Sequence, residues 1–368
     1  MTRRVLQVLG SSAGGVARHV AQVAAALAAQ GDRVVVAGPA ALAGTVAPAG
    51  SGVGSAAVRI ADRPHLSDLA AVARLAGLAR RADVVHAHGL RAGALAVLAV
   101  RCTPRRPGAR PRVVVTLHNL PVGEAAVRAV STALGTVVAR GADVVLGVSG
   151  DLVALARAQG ARAAERALVP APVRRASGGP GAAPDRAGTR AGLGLAADDD
   201  LVVTVARLAP QKGLETLLDA AVLVAEQRPT LCWLVAGDGP LLDVLTERAV
   251  AIGAPVRLLG RREDVADLMA AADVVASTAV WEGQPLAVQE ALALGAAIVA
   301  TDAGGTREVT GDAAVLVPVG DGPGIAAAVQ GLLTDPDRRA ALAAAAVRRA
   351  AGLPTSQDVL DQLARVYA

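Results

Sequence analysis

The chain has 368 residues, of which 53% are hydrophobic and 19% are charged, and its formal net charge is +5. This length exceeds the roughly 250 to 300 residues at which one hydrophobic core stops growing, so two domains are expected. Phe is absent, and the two Trp and one Tyr are too few for the aromatic platforms on which single-stranded nucleic acids stack. No apolar run approaches the roughly 20 residues of a membrane-spanning helix. These features predict a soluble, cytoplasmic protein that binds no nucleic acid.

Arginine supplies 36 of the 37 basic residues, and Lys212 is the single lysine. Because the arginines are spread along the whole chain, their number indicates a compositional bias and says little about function. A lone ammonium in such a chain is expected to be kept for its compact shape, so Lys212 is a candidate functional residue. Cys102 and Cys232 are isolated and do not form a disulfide framework.

Short β-branched segments alternate with Ala- and Leu-rich segments along the whole chain. The predicted strands are RVLQVLG, RVVVAG, DVVHAH, RVVVTLH and DVVLGVS in the first half, then LVVTVA, LCWLVAG, VRLLG, DVVAST and AAIVAT in the second. Apolar strands separated by helices predict parallel sheets with both faces covered. The tetrapeptide ADVV begins at residues 82, 142 and 272, each time where a helical segment gives way to a strand. This recurrence indicates one repeated α/β connection.

A segment rich in Pro, Gly and Ala, residues 170–200, predicts a domain boundary. We therefore expect an N-terminal domain over 1–172, a linker over 173–200, a C-terminal domain over 201–352 and a final helix over 353–368. Packing back onto the N-terminal domain is one arrangement open to that helix. The predicted fold class is α/β, with two doubly wound Rossmann-like domains facing each other across a cleft. Open sheets of this kind bind ligands beyond the carboxyl ends of their strands.

The first predicted strand is followed by GSSAGGVARHV, in which Gly14 and Gly15 open an Ala-rich helix. Free backbone N–H groups at the positive end of a helix suit a phosphate or another anion. A tight turn without a ligand explains the same glycines. The spacing Gly10, Gly14, Gly15 does not match the dinucleotide fingerprint, and no acidic residue follows the second strand, which disfavours a NAD-dependent oxidoreductase.

The segment ARLAPQKGLETLL places Arg207 and Lys212 in the loop and first turn before the next predicted helix. Two cations beside a helix N-terminus predict a diphosphate site. For Arg207, a solvated loop is the alternative.

The segment WEGQPLAVQE sets two glutamates eight positions apart. Glu282 falls in a predicted strand-to-helix loop, and Glu290 lies about two turns into the next helix, beside apolar neighbours. A buried carboxylate needs partners, and the hydroxyls of a ribose are suitable ones. Glu282, at the mouth of the loop, is a candidate for sugar hydroxyls. The alternative is two unrelated glutamates, one of them favoured by the helix dipole.

Four segments, ARLAPQKG, LVAGDGP, LLGRREDV and WEGQPLAVQEALALGAAIVATDAGGTREV, resemble the donor-binding half of the retaining glycosyltransferases of family four, which have the GT-B architecture. The segments AGGVARHV, DVVHAHG and VVVTLHN resemble the acceptor-side domain of that family more weakly. The resemblance implies transfer of a sugar, with retention, from a UDP- or GDP-sugar to an acceptor hydroxyl. It also implies that no metal and no cofactor is needed, since the nucleotide sugar is a co-substrate.

The resemblance assigns Arg207 and Lys212 to the diphosphate and Glu290 to the ribose of a donor on the C-terminal domain. Arg261 then holds the edge of the base, and His118 faces the sugar from across the cleft. The implied catalytic residues are His118, Arg207, Lys212 and Glu282. The implied donor-binding residues are Gly14, Gly15, Arg207, Lys212, Arg261, Glu282, Gly283, Gln284, Leu286 and Glu290.

Two other functions fit the same residues: a GT-B nucleotide-sugar epimerase, and a non-catalytic protein that binds nucleotide sugars. His86 and His88, with His118, suggest a metal site, but no carboxylate or cysteine accompanies them at ligand spacing. We therefore predict no metal.

The segment VRCTPRRPGARPRVV carries five arginines, Arg101, Arg105, Arg106, Arg110 and Arg112. It fits either a solvated loop or a peripheral contact with the inner face of the membrane, where each basic residue is worth about 1 kcal/mol. The acceptor is accordingly either a small molecule or a lipid-linked one.

Overall fold

The computed structural model describes residues 2–11, 14–61, 63–103, 110–120, 125–170, 185–196 and 198–368. The chain divides into two compact units: an N-terminal unit of Met1–Pro170 with Pro354–Ala368, and a C-terminal unit of Ala171–Leu353. In the described ranges, no helix is both long and apolar enough to cross a membrane.

The strands are β1 (Arg4–Leu9), β2 (Arg33–Gly38), β3 (Gly54–Ala57), β4 (Val84–His88), β5 (Arg112–Leu117), β6 (Val144–Gly147), β7 (Ala164–Arg166), β8 (Asp200–Val205), β9 (Leu231–Ala236), β10 (Val256–Leu258), β11 (Val274–Ser277), β12 (Ile298–Thr301) and β13 (Val315–Val317). The α-helices are α1 (Gly15–Ala29), α2 (Ala43–Val46), α3 (Ser67–Ala79), α4 (Leu90–Cys102), α5 (Ala125–Gly141), α6 (Gly150–Ala158), α7 (Arg186–Gly192), α8 (Leu214–Ala225), α9 (Leu242–Ala251), α10 (Val265–Ala271), α11 (Leu286–Ala293), α12 (Thr306–Thr310), α13 (Gly322–Thr334), α14 (Pro336–Ala351) and α15 (Ser356–Val366). Short 3-10 helices span Ala40–Leu42 and Pro210–Lys212.

Each unit is built on one parallel sheet. The order in the N-terminal unit is β3-β2-β1-β4-β5-β6-β7, and in the C-terminal unit it is β10-β9-β8-β11-β12-β13. In both sheets the strand that comes first in the chain lies in the interior, and the next two strands extend the sheet to one edge. The remaining strands lie on the other side of the first strand. The strand order reverses between β1 and β4 in one sheet and between β8 and β11 in the other. These findings confirm the predicted α/β class with two Rossmann-like domains.

The core of the C-terminal unit explains why its strands are apolar throughout. Along β8, Leu201 and Val203 pack with α10, α11 and α14, whereas Val202 packs on the opposite face with α8, α9 and α13. Successive side chains of a strand point to opposite faces, so a sheet between two helical layers needs apolar residues at every position.

The ADVV repeat ties neighbouring strands together. In each copy the aspartate precedes a strand, and its carboxylate accepts a hydrogen bond from a backbone N–H near the start of the adjacent strand. The pairs are Asp83 with Arg4 at 2.8 Å, Asp143 with Val113 at 2.7 Å and Asp273 with Leu201 at 2.8 Å. The repeat is therefore a structural connection, as predicted.

All ten predicted strands are present, and β3, β7 and β13 were missed. These three are short and lie at sheet edges, where side chains need not be buried and the apolar signal is weak. The segment predicted as a linker over 173–200 contains α7 and the first residue of β8, while 171–184 lie outside the described residues. Helix α7 is held by Arg190, which is 6% exposed and pairs with Asp273 at 3.3 Å.

The final helix α15 packs within the N-terminal unit. Gln362 accepts a hydrogen bond from the N–H of Leu168 at 2.9 Å and donates one to the carbonyl of Arg166 at 2.7 Å. Arg365 pairs with Glu165 at 2.9 Å. These bonds fix the end of the chain beside β7.

Candidate functional site

The loops that follow β8 and β11 start where the strand order of the C-terminal sheet reverses, which is the usual ligand site of open α/β sheets. Three hydrogen bonds join the two loops. The Thr278 hydroxyl donates to the carbonyl of Lys212 at 3.0 Å, and the N–H of Val280 donates to the carbonyl of Gln211 at 2.8 Å. The Gln211 amide donates to the carbonyl of Trp281 at 3.0 Å. The two loops therefore form one fixed surface.

Lys212 ends the 3-10 helix after β8, and the ammonium Nζ forms an ion pair with Oε1 of Glu282. Gly213 makes this approach possible: its φ is 59°, and a Cβ there would clash with the carbonyl oxygen of Thr278. The Lys212 and Glu282 side chains are 23% and 15% exposed, so both carry accessible charge. The sequence placed these residues in one site but assigned them to different parts of a ligand, and their direct contact was not predicted.

Glu282 is also held through its backbone. Its carbonyl accepts a hydrogen bond from the N–H of Gly305 at 2.7 Å, in the loop after β12. Gly304, with φ of 54°, lies so close to that carbonyl that a Cβ would clash with it. Loops after three neighbouring strands, β8, β11 and β12, thus position this carboxylate.

Helix α11 carries the second glutamate of the pattern. Glu290 is the fifth residue of the helix and is 6% exposed. Leu286 is the first residue and is partly exposed, Gly283 is buried and Gln284 is partly exposed. The helix begins at Leu286, directly after a proline, so the loop that contains Glu282 leads into its first turn.

Arg207 and Arg261 lie in loops after β8 and β10, and both side chains are exposed. Neither guanidinium bonds to another residue in the described ranges, whereas nearby Arg262 pairs with Asp264. The loop of Arg207 is fixed by its neighbour Leu208, whose N–H donates to the carbonyl of Asp238 at 2.8 Å. Among the described residues, these two cations thus have no carboxylate partner at the carboxyl edge of this sheet.

In the N-terminal unit, Gly14 caps α1 with φ of 83°, and Gly15 is the first helical residue. His118 directly follows β5 and is partly exposed. The structure places all three at the carboxyl edge of the N-terminal sheet, whereas the other predicted site residues belong to the C-terminal unit.

His118 lies beside a cluster of buried polar residues on one face of the N-terminal sheet. His88 Nδ1 lies 3.3 Å from His118 Nε2, and His88 Nε2 lies 2.6 Å from Gln7 Oε1. The Gln7 amide donates to the Tyr367 hydroxyl at 3.2 Å, which lies 2.7 Å from His86 Nδ1. The other nitrogen of His86 lies 2.7 Å from the hydroxyl oxygen of Thr116.

These histidines are neutral at pH 7. Burial lowers the pKa of His86 and of His118 to about 3, and the pKa of His19 to about 4. Burial and the neighbouring rings hold the pKa of His88 well below its ordinary value. Burial also raises the pKa of Tyr367, so its hydroxyl stays protonated. His118 is therefore no cation and gives no ionic attraction to a phosphate.

The same bonds bear on metal binding by His86 and His88. Both ring nitrogens of His86 and both of His88 are already in hydrogen bonds, so neither ring has a lone pair left to ligate an ion. Within the described residues, no group of three or more His, Cys, Asp or Glu side chains is arranged to hold a metal.

Two known domain families match the chain. Residues 14–172 match the family described as Glycosyl transferase 4-like domain, and residues 199–335 match the family described as Glycosyl transferases group 1. Residues 14–172, the 4-like domain, and residues 199–335, the group 1 domain, are therefore each similar to one of these families. The 4-like domain carries the histidine cluster, and the group 1 domain carries the contact between Lys212 and Glu282.

The chain is similar to two relatives over part of its length. It is 34% identical over 171 residues to the GDP-mannose-dependent monoacylated alpha-(1-6)-phosphatidylinositol monomannoside mannosyltransferase of Corynebacterium glutamicum, a match that covers 44% of this chain and 45% of that protein. It is 37% identical over 163 residues to the phosphatidyl-myo-inositol mannosyltransferase of Mycolicibacterium smegmatis, covering 43% and 42%. These matches span less than half of either relative.

The fold is shared over almost the whole chain with HepE of Anabaena, solved in complex with UDP-glucose. The TM-score is 0.81, and the match covers 99% of this chain and 98% of HepE at 23% identity. This likeness establishes the GT-B fold for the chain.

Sequence reasoning missed the roles of Gln7 and Tyr367. A signal was present for Gln7, because a polar residue at the centre of the apolar strand RVLQVLG is unusual in a sheet with both faces covered. Tyr367 offered no such signal, since it lies near the end of the chain and joins the cluster only through the packing of α15.

Proposed function

We propose that the chain is a retaining glycosyltransferase that moves a sugar from a nucleotide-diphosphate donor to an acceptor hydroxyl. The observation that carries the proposal is the fixed pair of loops in the group 1 domain. These loops place Lys212 against Glu282 at the point where the strand order reverses. A site that offers a cation and a carboxylate side by side suits a ligand with both an anionic diphosphate and sugar hydroxyls.

In the proposed reaction, Arg207 and Lys212 stabilise the negative charge that develops on the departing diphosphate, as preorganised charges do in many active sites. The bond from the anomeric carbon to the phosphate oxygen breaks, and a bond to the acceptor oxygen forms on the same face of the sugar. The acceptor proton passes to the departing phosphate oxygen, so no side chain acts as a base. Two cations take the place of a metal ion.

The ion pair between Lys212 and Glu282 sets the order in which the two parts of the donor bind. An incoming diphosphate competes with Glu282 for Lys212, because the ammonium cannot serve both fully. Release of Glu282 then frees its oxygens to accept hydrogen bonds from sugar hydroxyls. Glu290, buried on α11, accepts the hydroxyls of the ribose, and Arg261 holds the base.

The donor is a GDP- or UDP-sugar. GDP-mannose is the donor in the name of the Corynebacterium relative, and UDP-glucose is bound in the HepE structure. A lipid-linked acceptor is supported by the phosphatidylinositol compounds in the names of both relatives. A small-molecule acceptor is the alternative.

The decisive experiment supplies the protein with GDP- and UDP-sugars and with phosphatidylinositol or soluble polyol acceptors. Release of free nucleoside diphosphate that depends on the acceptor, with an α-linked product from an α-linked donor, is the expected result. The same rate in the presence of EDTA tests the absence of a metal. Interconversion of the donor sugars without an acceptor identifies an epimerase instead, and tight donor binding without any product identifies a non-catalytic binding protein.

We also propose that the enzyme acts in the cytoplasm as a peripheral protein at the inner face of the membrane. Arg105 and Arg106 of the arginine-rich segment that suggested this contact lie outside the described residues, since 104–109 are not described. Its other three arginines each donate to a backbone carbonyl: Arg101 to Arg140, Arg110 to Gly141 and Arg112 to Val366. Co-sedimentation with anionic vesicles at low salt, but not with neutral ones, is the expected result. Replacement of Arg105, Arg106 and Arg110 by Ser should weaken it, and equal binding by that variant means that this segment does not dock.

A further inference from the structure

A hydrogen-bonded chain links the segment after helix α15 to His118, across β1, β4 and the end of β5 in the N-terminal sheet. Gln7 of β1 is paired in register with His86 of β4, and His88 of β4 is paired with Thr116 of β5. Because side chains two positions apart on a strand share a face, these polar groups and His118 line one face. Tyr367, directly after α15, completes the cluster, because its hydroxyl contacts both Gln7 and His86.

The directions of the bonds follow from the amide of Gln7. Its nitrogen donates to the Tyr367 oxygen at 3.2 Å, so its oxygen is the acceptor toward His88 at 2.6 Å. His88 is neutral and thus has one ring proton, which this bond places on Nε2. Its Nδ1 is then an acceptor, and the facing group, His118 Nε2 at 3.3 Å, is the donor. The single proton of the neutral His118 ring is therefore on Nε2.

The other half of the chain fits the same direction. The Tyr367 oxygen already accepts from Gln7, so its own proton is free to point to His86 Nδ1 at 2.7 Å. The proton of His86 is then on Nε2 and points to the Thr116 oxygen at 2.7 Å. Each of the three ring protons and the Tyr367 hydroxyl proton thus meets an acceptor, and the opposite orientation of the Gln7 amide requires all four of them to reverse.

We propose that Gln7 and Tyr367 are positioning residues that fix the proton of His118 on Nε2 and leave its Nδ1 as an acceptor for a sugar hydroxyl. The assignment of His118 to the sugar rests on the proposed function. A lone pair at Nδ1 accepts from an O–H group and repels a phosphate oxygen, so this tautomer selects the neutral part of a nucleotide sugar. The reversed tautomer would present an N–H and favour the anionic part.

The chain offers a matched control on the same helix. Gln362 also holds α15 in place, through Leu168 and Arg166, but it takes no part in the bonds to the histidines. Gln362→Met therefore loosens the docking of α15 and leaves the proton chain intact. Tyr367→Phe does the reverse, because it keeps the ring and removes the hydroxyl that holds the Gln7 amide.

The first test needs no substrate. The ring nitrogens of the free, ¹⁵N-labelled protein at neutral pH report directly by NMR which of them carries the proton. We expect Nε2 to be protonated and Nδ1 bare in both His88 and His118 of the wild type, and a mixture of tautomers in Tyr367→Phe and Gln7→Met. Gln362→Met should keep the wild-type pattern. A His118 ring protonated on Nδ1 in the wild type, or equal disturbance by Gln362→Met, overturns the proposal.

The second test measures transfer by the same variants. Tyr367→Phe should lower kcat roughly three- to tenfold, the scale of one hydrogen bond, with a smaller change in KM for the donor, and Gln362→Met should not. Equal kcat in wild type and Tyr367→Phe removes the positioning role. If the wild type itself transfers no sugar, the proposed function fails, and a hydroxyl-selective role for His118 fails with it. The NMR result still decides the tautomer.

Discussion

The two sheets of this protein have the same reversal of strand order but carry different chemistry at it. In the group 1 domain the reversal holds charged side chains: Lys212 lies against Glu282, and Arg207 is exposed with no partner among the described residues. In the N-terminal sheet it holds neutral histidine rings, among them the buried His88, which bonds to His118 and Gln7. The comparison indicates how a fold of two similar halves divides its work, since one edge suits an anionic leaving group and the other suits hydroxyls.

The largest effect should come from removing the ammonium of the charged edge. Lys212→Ala is expected to lower turnover by ~10²-fold or more, the scale for a lost preorganised charge partner. The fold should survive, because the loop is held by backbone contacts with Thr278 and Val280. Arg338→Ala removes an exposed cation elsewhere in the same unit and serves as the control. Steady-state activity within a few-fold of wild type would break the proposed division between the two edges.

The buried carboxylate of that edge should matter for nucleotide binding. Glu290→Ala is expected to weaken nucleoside diphosphate binding about 10- to 100-fold, because a hydrogen bond to a charged acceptor is worth about 1.5 to 3 kcal/mol. Glu290→Gln keeps the shape of the side chain and should lose less. Titration calorimetry measures both, and unchanged affinity in Glu290→Ala rejects the ribose assignment.

The histidines of the neutral edge should make the stability of the fold depend on pH. Histidines of the unfolded chain titrate near pH 6.5, whereas burial lowers the pKa of His86 and His118 to about 3 and that of His19 to about 4. Between these values the unfolded chain binds more protons, so stability falls as the pH falls from about 6.5 toward 4.

For each ring that stays neutral in the folded protein, the free energy of unfolding falls by about 1.4 kcal/mol for every unit by which the pH is lowered in that window. Denaturant midpoints at neutral pH and near pH 5 measure the slope. The variant His65→Gln, which changes an exposed ring outside the cluster, should keep the wild-type slope. A flat profile across this window contradicts the buried, neutral state of the cluster.

The smallest expected effect tests the role of the ion pair between Lys212 and Glu282. Glu282→Gln removes the charge that competes for Lys212, so nucleoside diphosphate should bind up to about fivefold more tightly, since a partly exposed ion pair is worth about 0 to 1 kcal/mol. Turnover should fall at the same time, because the sugar loses a charged acceptor. Weaker nucleotide binding by this variant would mean that Glu282 supports the diphosphate site and does not compete with it.

Much of the charged edge could be predicted from the sequence. Arg207, Lys212 and Glu282 follow apolar strands at short distances, and parallel strands bring such loops to one edge whatever the details of packing. The contact between Lys212 and Glu282 could not be predicted from the sequence, because it depends on which strands are neighbours and on the turn at Gly213.

The sequence by itself determined the class of fold, the two domains and the strands of the sheet interiors, because burial on both faces demands unbroken apolar segments. It left three of the four edge strands (β3, β7 and β13), helix α7 and the histidine cluster undetermined. Gln7, His88 and Tyr367 are far apart in the chain and polar for no local reason. Only the tertiary structure brings them within hydrogen-bonding distance, since a network of side chains is a property of strand order and helix docking, and neither leaves a local pattern in the sequence.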